Sequence, residues 1–377
     1  MSTDANSHLR VAIDVGPLYG HRTGVGVAVD GMTTALAERS DITLVPYLTS
    51  RRASPRPGHR RLPIAGIVAS HLWSRSDRPT ADRWLTDVDL VHGTNYVAPP
   101  SRHPTVVSVY DCWFLRHPDQ ATPLVRRAGD NLRRAVARGA WLHVTSDATA
   151  AEARALLRTD RVRTVHLGAP PAPPTVTHTP TAVHDLAGRR LVVAVGTAER
   201  RKDLPLLVEA FAHVAHDHDD VLLTLAGADG DDSERVAGAV AASPARDRIR
   251  RLGPVDEPTK AWLLRHATVL VYPSRDEGFG FPILEANAAG TPVVATAVGS
   301  VPEIAGDAAV LVADPTRRPC ALADAIAGVL DGHDRLALIE AGYRNLRRFD
   351  WATTAEGLVE LYAAAMADAA TPTGGSA

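Results

Sequence analysis

Cysteine, lysine and aromatic residues are scarce in this chain, and no long apolar run occurs. Two cysteines, Cys112 and Cys320, in 377 residues cannot build a disulfide framework or a four-ligand zinc site. No stretch approaches the roughly 18–20 apolar residues that span a bilayer, and the first eight residues lack the apolar core of a secretion signal. A cytoplasmic, reducing setting without an integral membrane segment is expected. Lys and Arg total 41 against 43 Asp and Glu, a formal charge of −2, so the chain lacks the basic excess that draws proteins to nucleic acid. None of the 16 histidines falls in His-Glu-x-x-His, and there is no Gly-x-Ser-x-Gly or phosphate-loop motif. Zinc proteolysis, serine hydrolysis and P-loop chemistry therefore have no footing. The acidic clusters near Asp217 and Asp229 match neither a calcium loop nor a zinc spacing, and no metal site is expected.

What is present is 45% hydrophobic content and a length that suits two core-bearing domains at about 150 residues each. Short β-rich apolar runs alternate with helix-length amphipathic stretches, the pattern of an α/β protein with parallel sheets covered by helices. Strands are predicted at Leu9 to Ile13, Ile42 to Pro46, Leu90 to His92, Thr105 to Tyr110 and Trp141 to Thr145. After a proline-rich stretch from Ala169 to Thr181 they resume at Leu191 to Val195, Val221 to Ala226, Thr268 to Tyr272, Pro292 to Ala295 and Ala309 to Val312. This gives domains over 1–170 and 191–350, a linker over 171–190 and a terminal helix over 351–370 whose docking the pattern leaves open. The tail from Thr371 to Ala377 is expected to be disordered. Ligands of doubly wound sheets sit beyond the carboxyl ends of the strands, and a cleft between two such domains is the default site.

Three strand ends carry chemistry. After the first strand, Asp14 to Gly26 leads into an apolar helix, where Gly24 and Gly26 admit a ligand close to the backbone at a helix start. The dinucleotide fingerprint would need Gly or Ala where Val29 stands, which disfavours a nicotinamide site; an ordinary glycine turn is the other reading. After Val195 comes Gly196-Thr197-Ala198-Glu199-Arg200-Arg201-Lys202-Asp203. Cations at a strand end beside a helix start suit a diphosphate, with a solvated turn as the alternative. Lys202 and Lys260 are the only two lysines, so a lysine here is a rare choice. The third segment, Tyr272 to Gly290, has a glycine-punctuated loop, Pro282 in a first helical turn and Gly290 as a helix stop. Glu277 lies in that loop and Glu285 about one turn into the helix, so the two carboxylates serve different parts of one ligand.

These residues resemble the retaining glycosyltransferases of family 4, with the GT-B fold of two doubly wound, Rossmann-like domains and an inter-domain cleft. Glu277 to Glu285 is similar to that family's Glu-x7-Glu element, and Arg201-Lys202-Asp203 to its Arg-Lys-Asn motif. Arg22 to Gly26, His92 to Tyr96, Ser300 to Glu303 and Phe349-Asp350-Trp351 add to the likeness. The resemblance implies that Arg201 and Lys202 hold the donor diphosphate and neutralise the leaving group without a metal, with Gly196 and Thr197 beside them. Glu277, Gly278, Phe279, Gly280 and Phe281 would contact the donor, the N–H groups of Ile283 and Leu284 its phosphates, and Glu285 the ribose hydroxyls. Gly26 would border the diphosphate from the first domain, with Gly24, His92, Asn95, Tyr96 and Ser146 on the acceptor side. The implied partners are a nucleotide-sugar donor, GDP-sugar favoured over UDP-sugar, and a small-molecule or glycan acceptor, with no separate cofactor. Where the family often has His-Asp, this chain has Tyr110-Asp111; a tyrosine donates a hydrogen bond but does not become cationic near neutral pH, which points to a donor sugar unusual around C6. A catalytically silent nucleotide-binding protein and an NAD-dependent oxidoreductase are the competing readings.

Overall fold

The computed structural model describes residues 8–20, 23–313 and 318–370. The chain forms two units, one running to Gly168 and taking in the segment from Phe349 on, the other spanning Ala169–Arg348. In the first unit the order is β1 (Leu9–Asp14), α1 (Gly24–Ala37), β2 (Ile42–Thr49), β3 (Arg60–Leu62), α2 (Gly66–Trp73), β4 (Leu90–Gly93), β5 (Thr105–Val109), α3 (Trp113–Arg116), α4 (Pro123–Ala137), β6 (Trp141–Val144), α5 (Asp147–Leu157) and β7 (Val162–Thr164). The second unit has β8 (Arg190–Val195), α6 (Leu204–Asp217), β9 (Val221–Ala226), α7 (Ser233–Ala242), β10 (Ile249–Gly253), α8 (Glu257–His266), β11 (Val269–Tyr272), α9 (Phe281–Ala289), β12 (Val293–Thr296), α10 (Val301–Ala305), β13 (Val310–Val312), α11 (Arg318–Leu330) and α12 (Arg335–Leu346). Helix α13 (Trp351–Ala370) belongs to the first unit.

Both sheets are parallel throughout, in the orders β3-β2-β1-β4-β5-β6-β7 and β10-β9-β8-β11-β12-β13. Strands covered on both faces read as continuous apolar runs, and β9 (Val-Leu-Leu-Thr-Leu-Ala) is buried along its whole length. In each sheet the order reverses once, between β1 and β4 and between β8 and β11. At such a switch point the connections leave towards opposite sides, and the carboxyl ends of the two strands are left open to a ligand. The loops after β8 and β11 are those that carry Arg201, Lys202 and Glu277.

The hydrophobic pattern leaves the docking of the terminal helix open, and the structure shows what holds it. Gly31 on α1 and Gly168 both face the Trp351 indole, and a Cβ built at either would fall 2.3 Å from its ring atoms. The Thr354 hydroxyl donates to the His166 carbonyl at 2.8 Å. Further along, Tyr362 joins a buried chain of polar groups: its hydroxyl and His92 Nδ1 are 2.8 Å apart, His92 Nε2 and Ser108 Oγ 2.8 Å, Ser108 Oγ and His143 Nδ1 2.9 Å, and His143 Nε2 and the Val165 carbonyl 3.1 Å. A carbonyl only accepts, so His143 carries its proton on Nε2, Ser108 donates to His143, His92 donates to Ser108 and Tyr362 donates to His92. Every link then points the same way, and both imidazoles are neutral.

Burial holds His92 well below the ordinary histidine range and His143 down at about 4. The unfolded chain therefore binds protons that the folded chain refuses between pH 6.5 and 4, and stability falls as the pH is lowered through that window. For His143 the loss is roughly 3 kcal/mol once pH 4 is reached. His143→Gln, which keeps a donor and an acceptor but does not titrate, should flatten the pH dependence of the urea-unfolding free energy by about 1.4 kcal/mol per pH unit; an unchanged slope between pH 7 and 5 would show that the imidazole is not held neutral.

Candidate functional site

The loops at the second unit's switch point are shaped by close backbone approaches. Gly196 leaves β8 with φ +144°, and a Cβ at Gly227 would fall 1.9 Å from the Gly196 carbonyl oxygen. Beyond it Arg200–Lys202 forms a single 3-10 turn. Asp203 follows in the left-handed region at φ 47° and starts α6. Its buried carboxylate accepts the fork of Arg275 at 2.8 and 3.0 Å and lies 3.3 Å from Arg318. The Arg275 N–H also donates to the Arg201 carbonyl at 2.7 Å. The loop after β8 is thereby stitched to the loop after β11.

Glu277 closes the same junction. Its carboxylate accepts from Lys202 Nζ at 2.5 Å, from Arg201 Nη1 at 2.7 Å and from the Ser274 hydroxyl at 2.8 Å. Lys202 Nζ also donates to the Tyr272 hydroxyl at 2.7 Å, and Arg201 Nε lies 2.9 Å from Glu199. Only 9% of Lys202 and 5% of Glu277 is exposed, which removes the reading of Lys202 as a solvated surface lysine. Burial alone would raise the Glu277 carboxyl, but the charges of Arg201 and Lys202 outweigh it and hold the group down at about 2. Burial lowers Lys202, with the Glu277 charge pulling it back. Three hydrogen bonds and two cations are what such a buried carboxylate needs.

The loop after β12 clamps this segment from outside. Ser300 N–H donates to the Glu277 carbonyl at 2.9 Å and its hydroxyl to the Phe279 carbonyl at 3.2 Å, while the Thr296 hydroxyl donates to the Ser274 carbonyl. Residues 276–280 are all buried, and Gly280, at φ +99°, forms the N-cap of α9. Phe279 and Phe281 meet edge to face at 5.2 Å. Ile283 and Leu284 fall in the opening turns of α9 with their side chains fully buried. Glu285 does not join Glu277; it receives Lys260 Nζ from α8 at 3.0 Å. A shallow hollow lined in part by Gly196, Lys202, Tyr272 and Pro273 opens at the switch point. A second lies beside it against Gly196, Gly227 and Gly253.

In the first unit two acceptor-side expectations are corrected. His92 has no exposed surface and both its ring nitrogens are spent on Tyr362 and Ser108, so it is a core residue. Ser146 is the N-cap of α5, its buried oxygen accepting the Thr149 N–H at 3.1 Å. Tyr96 and Asp111 do come together, the Tyr96 hydroxyl donating to Asp111 at 3.2 Å. Tyr110 lies beside them and gives its hydroxyl to the Thr94 carbonyl at 2.8 Å. Asn95 is exposed, as is Gly24, and the Gly26 N–H donates to the capping hydroxyl of Thr23 at 3.4 Å. Arg22 lies outside the described residues. Asp14 ends β1 at the first unit's switch point, where sequence reasoning singled out only the glycines that follow; burial pushes its carboxyl up to about 6 against the pull of the Gly16 N–H.

The family described as "Glycosyl transferases group 1" matches residues 182–345, which take in both loops. A D-inositol 3-phosphate glycosyltransferase from Xylanimonas cellulosilytica is 31% identical over 336 residues, covering 81% of this chain and 74% of the relative. The chain belongs to the group 1 glycosyltransferases. An O-antigen chain mannosyltransferase from Escherichia coli is 27% identical over 86% of this chain and 88% of its own length. Among solved structures, sucrose-phosphate synthase from Thermosynechococcus elongatus superposes with a TM-score of 0.73 at 21% identity, covering 96% of this chain and all of that one. A lipopolysaccharide glycosyltransferase, WaaG, gives 0.68 at 19% identity over 97% of this chain and all of its own. These likenesses show the GT-B fold, and membership of a glycosyltransferase family sets aside the oxidoreductase reading.

Gly299 offers a test of the clamp on this glycosyltransferase. It sits at φ +50°, and a Cβ there would fall 2.4 Å from the Glu277 carbonyl and 2.8 Å from an Asp276 carboxylate oxygen. Gly299→Ala should destabilise the protein by more than about 1 kcal/mol in thermal or urea unfolding, and a neutral result would mean that the loop after β12 does not hold Glu277 in place.

Proposed function

We propose that this glycosyltransferase is a retaining enzyme of the family 4 type. It would move a sugar from a nucleoside-diphosphate sugar, GDP-sugar favoured over UDP-sugar, to a small-molecule or glycan acceptor. The observation that carries the reading is the convergence of Arg201, Lys202 and Glu277 at the carboxyl ends of β8 and β11, beside a hollow that opens at the switch point. Two cations at a diphosphate site stabilise the charge that develops on the leaving group. No metal ion is then required, and EDTA should leave the rate unchanged. The second hollow, against Gly253, suits the nucleobase. Relatives named as mannosyltransferases support a hexose donor.

In the reaction the bond from sugar C1 to the diphosphate oxygen breaks as the acceptor oxygen bonds C1 on the same face. The acceptor proton passes to a donor phosphate oxygen, and the electron pair leaves with the diphosphate. The share of Arg201 and Lys202 is to hold and neutralise that group, and that of Glu277 is to position the sugar beside it. On the first unit, Tyr110, Asp111, Tyr96 and Asn95 remain the residues assigned to the sugar and acceptor, with Gly24 and Gly26 at the start of α1.

Thermal unfolding with GDP and with UDP tests the donor class. A nucleotide at about 100 times its dissociation constant adds roughly 2.7 kcal/mol and raises the midpoint by a few degrees; no rise with either would count against a nucleotide-sugar enzyme. Lys202→Ala should slow transfer at least tenfold, about 1.4 kcal/mol, and weaken diphosphate binding. Unchanged donor kinetics would remove the phosphate assignment. Glu277→Gln deletes the anion that competes for both cations, so free-nucleotide affinity should hold or rise while transfer falls at least tenfold. An equal loss of both would mean that Glu277 does not act on the sugar, and nucleotide binding with no transfer to any acceptor would favour the silent binding protein.

A further inference from the structure

The chain uses arginine for all but two of its 41 basic residues, and each lysine is committed to one of the two glutamates spaced eight apart. Lys202 meets Glu277, and Lys260 meets Glu285. The second pair lies on neighbouring helices of the same unit. Lys260 Nζ, on α8, is 3.0 Å from Glu285 Oε1, on α9, and 3.1 Å from Glu257 one turn back on its own helix. The side chains of Lys260 and Glu285 are 20% and 14% exposed, whereas that of Glu257 is 70% exposed. Glu285 is thus the sheltered partner, and the bond to Oε1 leaves its other oxygen without a protein donor among the described residues. Burial pulls the Lys260 ammonium down, but the charges of Glu285 and Glu257 outweigh this and raise it, so the amine stays charged.

The choice of lysine has a geometric consequence. An ammonium is a compact charge that can touch one oxygen of each of two carboxylates. A guanidinium presents a planar fork that pairs with both oxygens of a single carboxylate. At this position a fork would occupy both Glu285 oxygens, and the ammonium occupies one.

We propose that Lys260 is a positioning residue: it fixes Glu285 so that the remaining carboxylate oxygen receives the ribose hydroxyls of the nucleotide, and it thereby sets the preference for a ribonucleotide over a 2′-deoxyribonucleotide. The inference rests on the proposed family 4 reading, whose resemblance implies that Glu285 meets the ribose hydroxyls, and it extends that assignment to a residue on another helix. A lysine that only tied α8 to α9 would contribute to stability and would not discriminate between nucleotides that differ by one hydroxyl.

The experiment is isothermal titration calorimetry of the full chain with GDP, 2′-deoxy-GDP, UDP and 2′-deoxy-UDP, with thermal midpoints recorded to confirm folding. The unsubstituted protein should prefer the ribose form of the nucleotide it binds by about tenfold or more, the effect of a hydrogen bond to a charged group. Glu285→Gln should lose most of that preference. Lys260→Met should lose it too, and Lys260→Arg should lose it while keeping the charge and the thermal midpoint. If Lys260→Met keeps the full preference while Glu285→Gln loses it, Lys260 is a structural tie and the proposal falls alone. If Glu285→Gln also keeps it, Glu285 does not hold the ribose, and that assignment falls together with the proposal.

Discussion

A carboxylate held out of water between two cations is the constraint on which the second unit depends. Glu277 cannot be buried without partners, because an isolated charge in a protein interior is far more costly than the same charge in solvent. Its partners come from the loop after β8, and Glu277 itself from the loop after β11. These strands are sequence-distant but adjacent in the sheet because the strand order reverses between them, so the ion cluster can form only at the switch point. The fork of Arg275 on Asp203, the Ser300 clamp and the glycine contact at Gly227 hold the two loops in the geometry that the charges require. Removing one member of such a buried pair typically costs about 3–5 kcal/mol, which ties the stability of this unit to the residues proposed to act on the donor.

How much of this was legible in the sequence differs by level. The parallel α/β architecture was open to reading because doubly covered strands such as Leu191–Val195 are uninterrupted apolar runs. The site loops were legible because Arg201, Lys202 and Glu277 each follow such a run, where ligands of this fold class bind. Short elements were not: β3 has three residues, Arg-Arg-Leu, and β7 Val-Arg-Thr, too short for any period to show. The docking of the terminal helix depends on Gly31 and Gly168 giving way to the Trp351 ring, a fit that exists only once distant segments are packed. His92 and Ser146 mark a further limit. A polar residue in a family-like motif reads as functional, yet a one-way chain of hydrogen bonds and a helix cap use these two up, and no spacing rule reveals which polar groups the core will consume.

The scarcity of lysine makes the two that occur informative. Arginine serves most surface ion pairs of this chain, and at Arg60 its fork takes both oxygens of the exposed Asp87. At Lys202 one nitrogen donates both to Glu277 and to the Tyr272 hydroxyl, two acceptors met from a single atom that carries three donors. The same logic applies at Lys260, between two carboxylates. Each lysine places one small charge between several acceptors, and each faces one of the two glutamates from a different element.

The charge balance of the cluster also constrains how a donor can enter. Arg201, Lys202, Glu199 and Glu277 sum formally to zero, so the ligand-free cluster holds no net positive charge for a diphosphate. Exposure decides which anion yields: the Glu199 side chain is 39% exposed and that of Glu277 5%. Releasing Glu199 to water restores its hydration, whereas releasing Glu277 would strip a buried carboxylate of its partners. On the proposed reading Arg201 would be the cation that turns outward, exchanging Glu199 for a phosphate oxygen, while Lys202 keeps Glu277 and Tyr272 and has a third N–H left for the diphosphate. The buried pair would then serve as a fixed frame, and the exposed half of the same cluster as the part that changes partner.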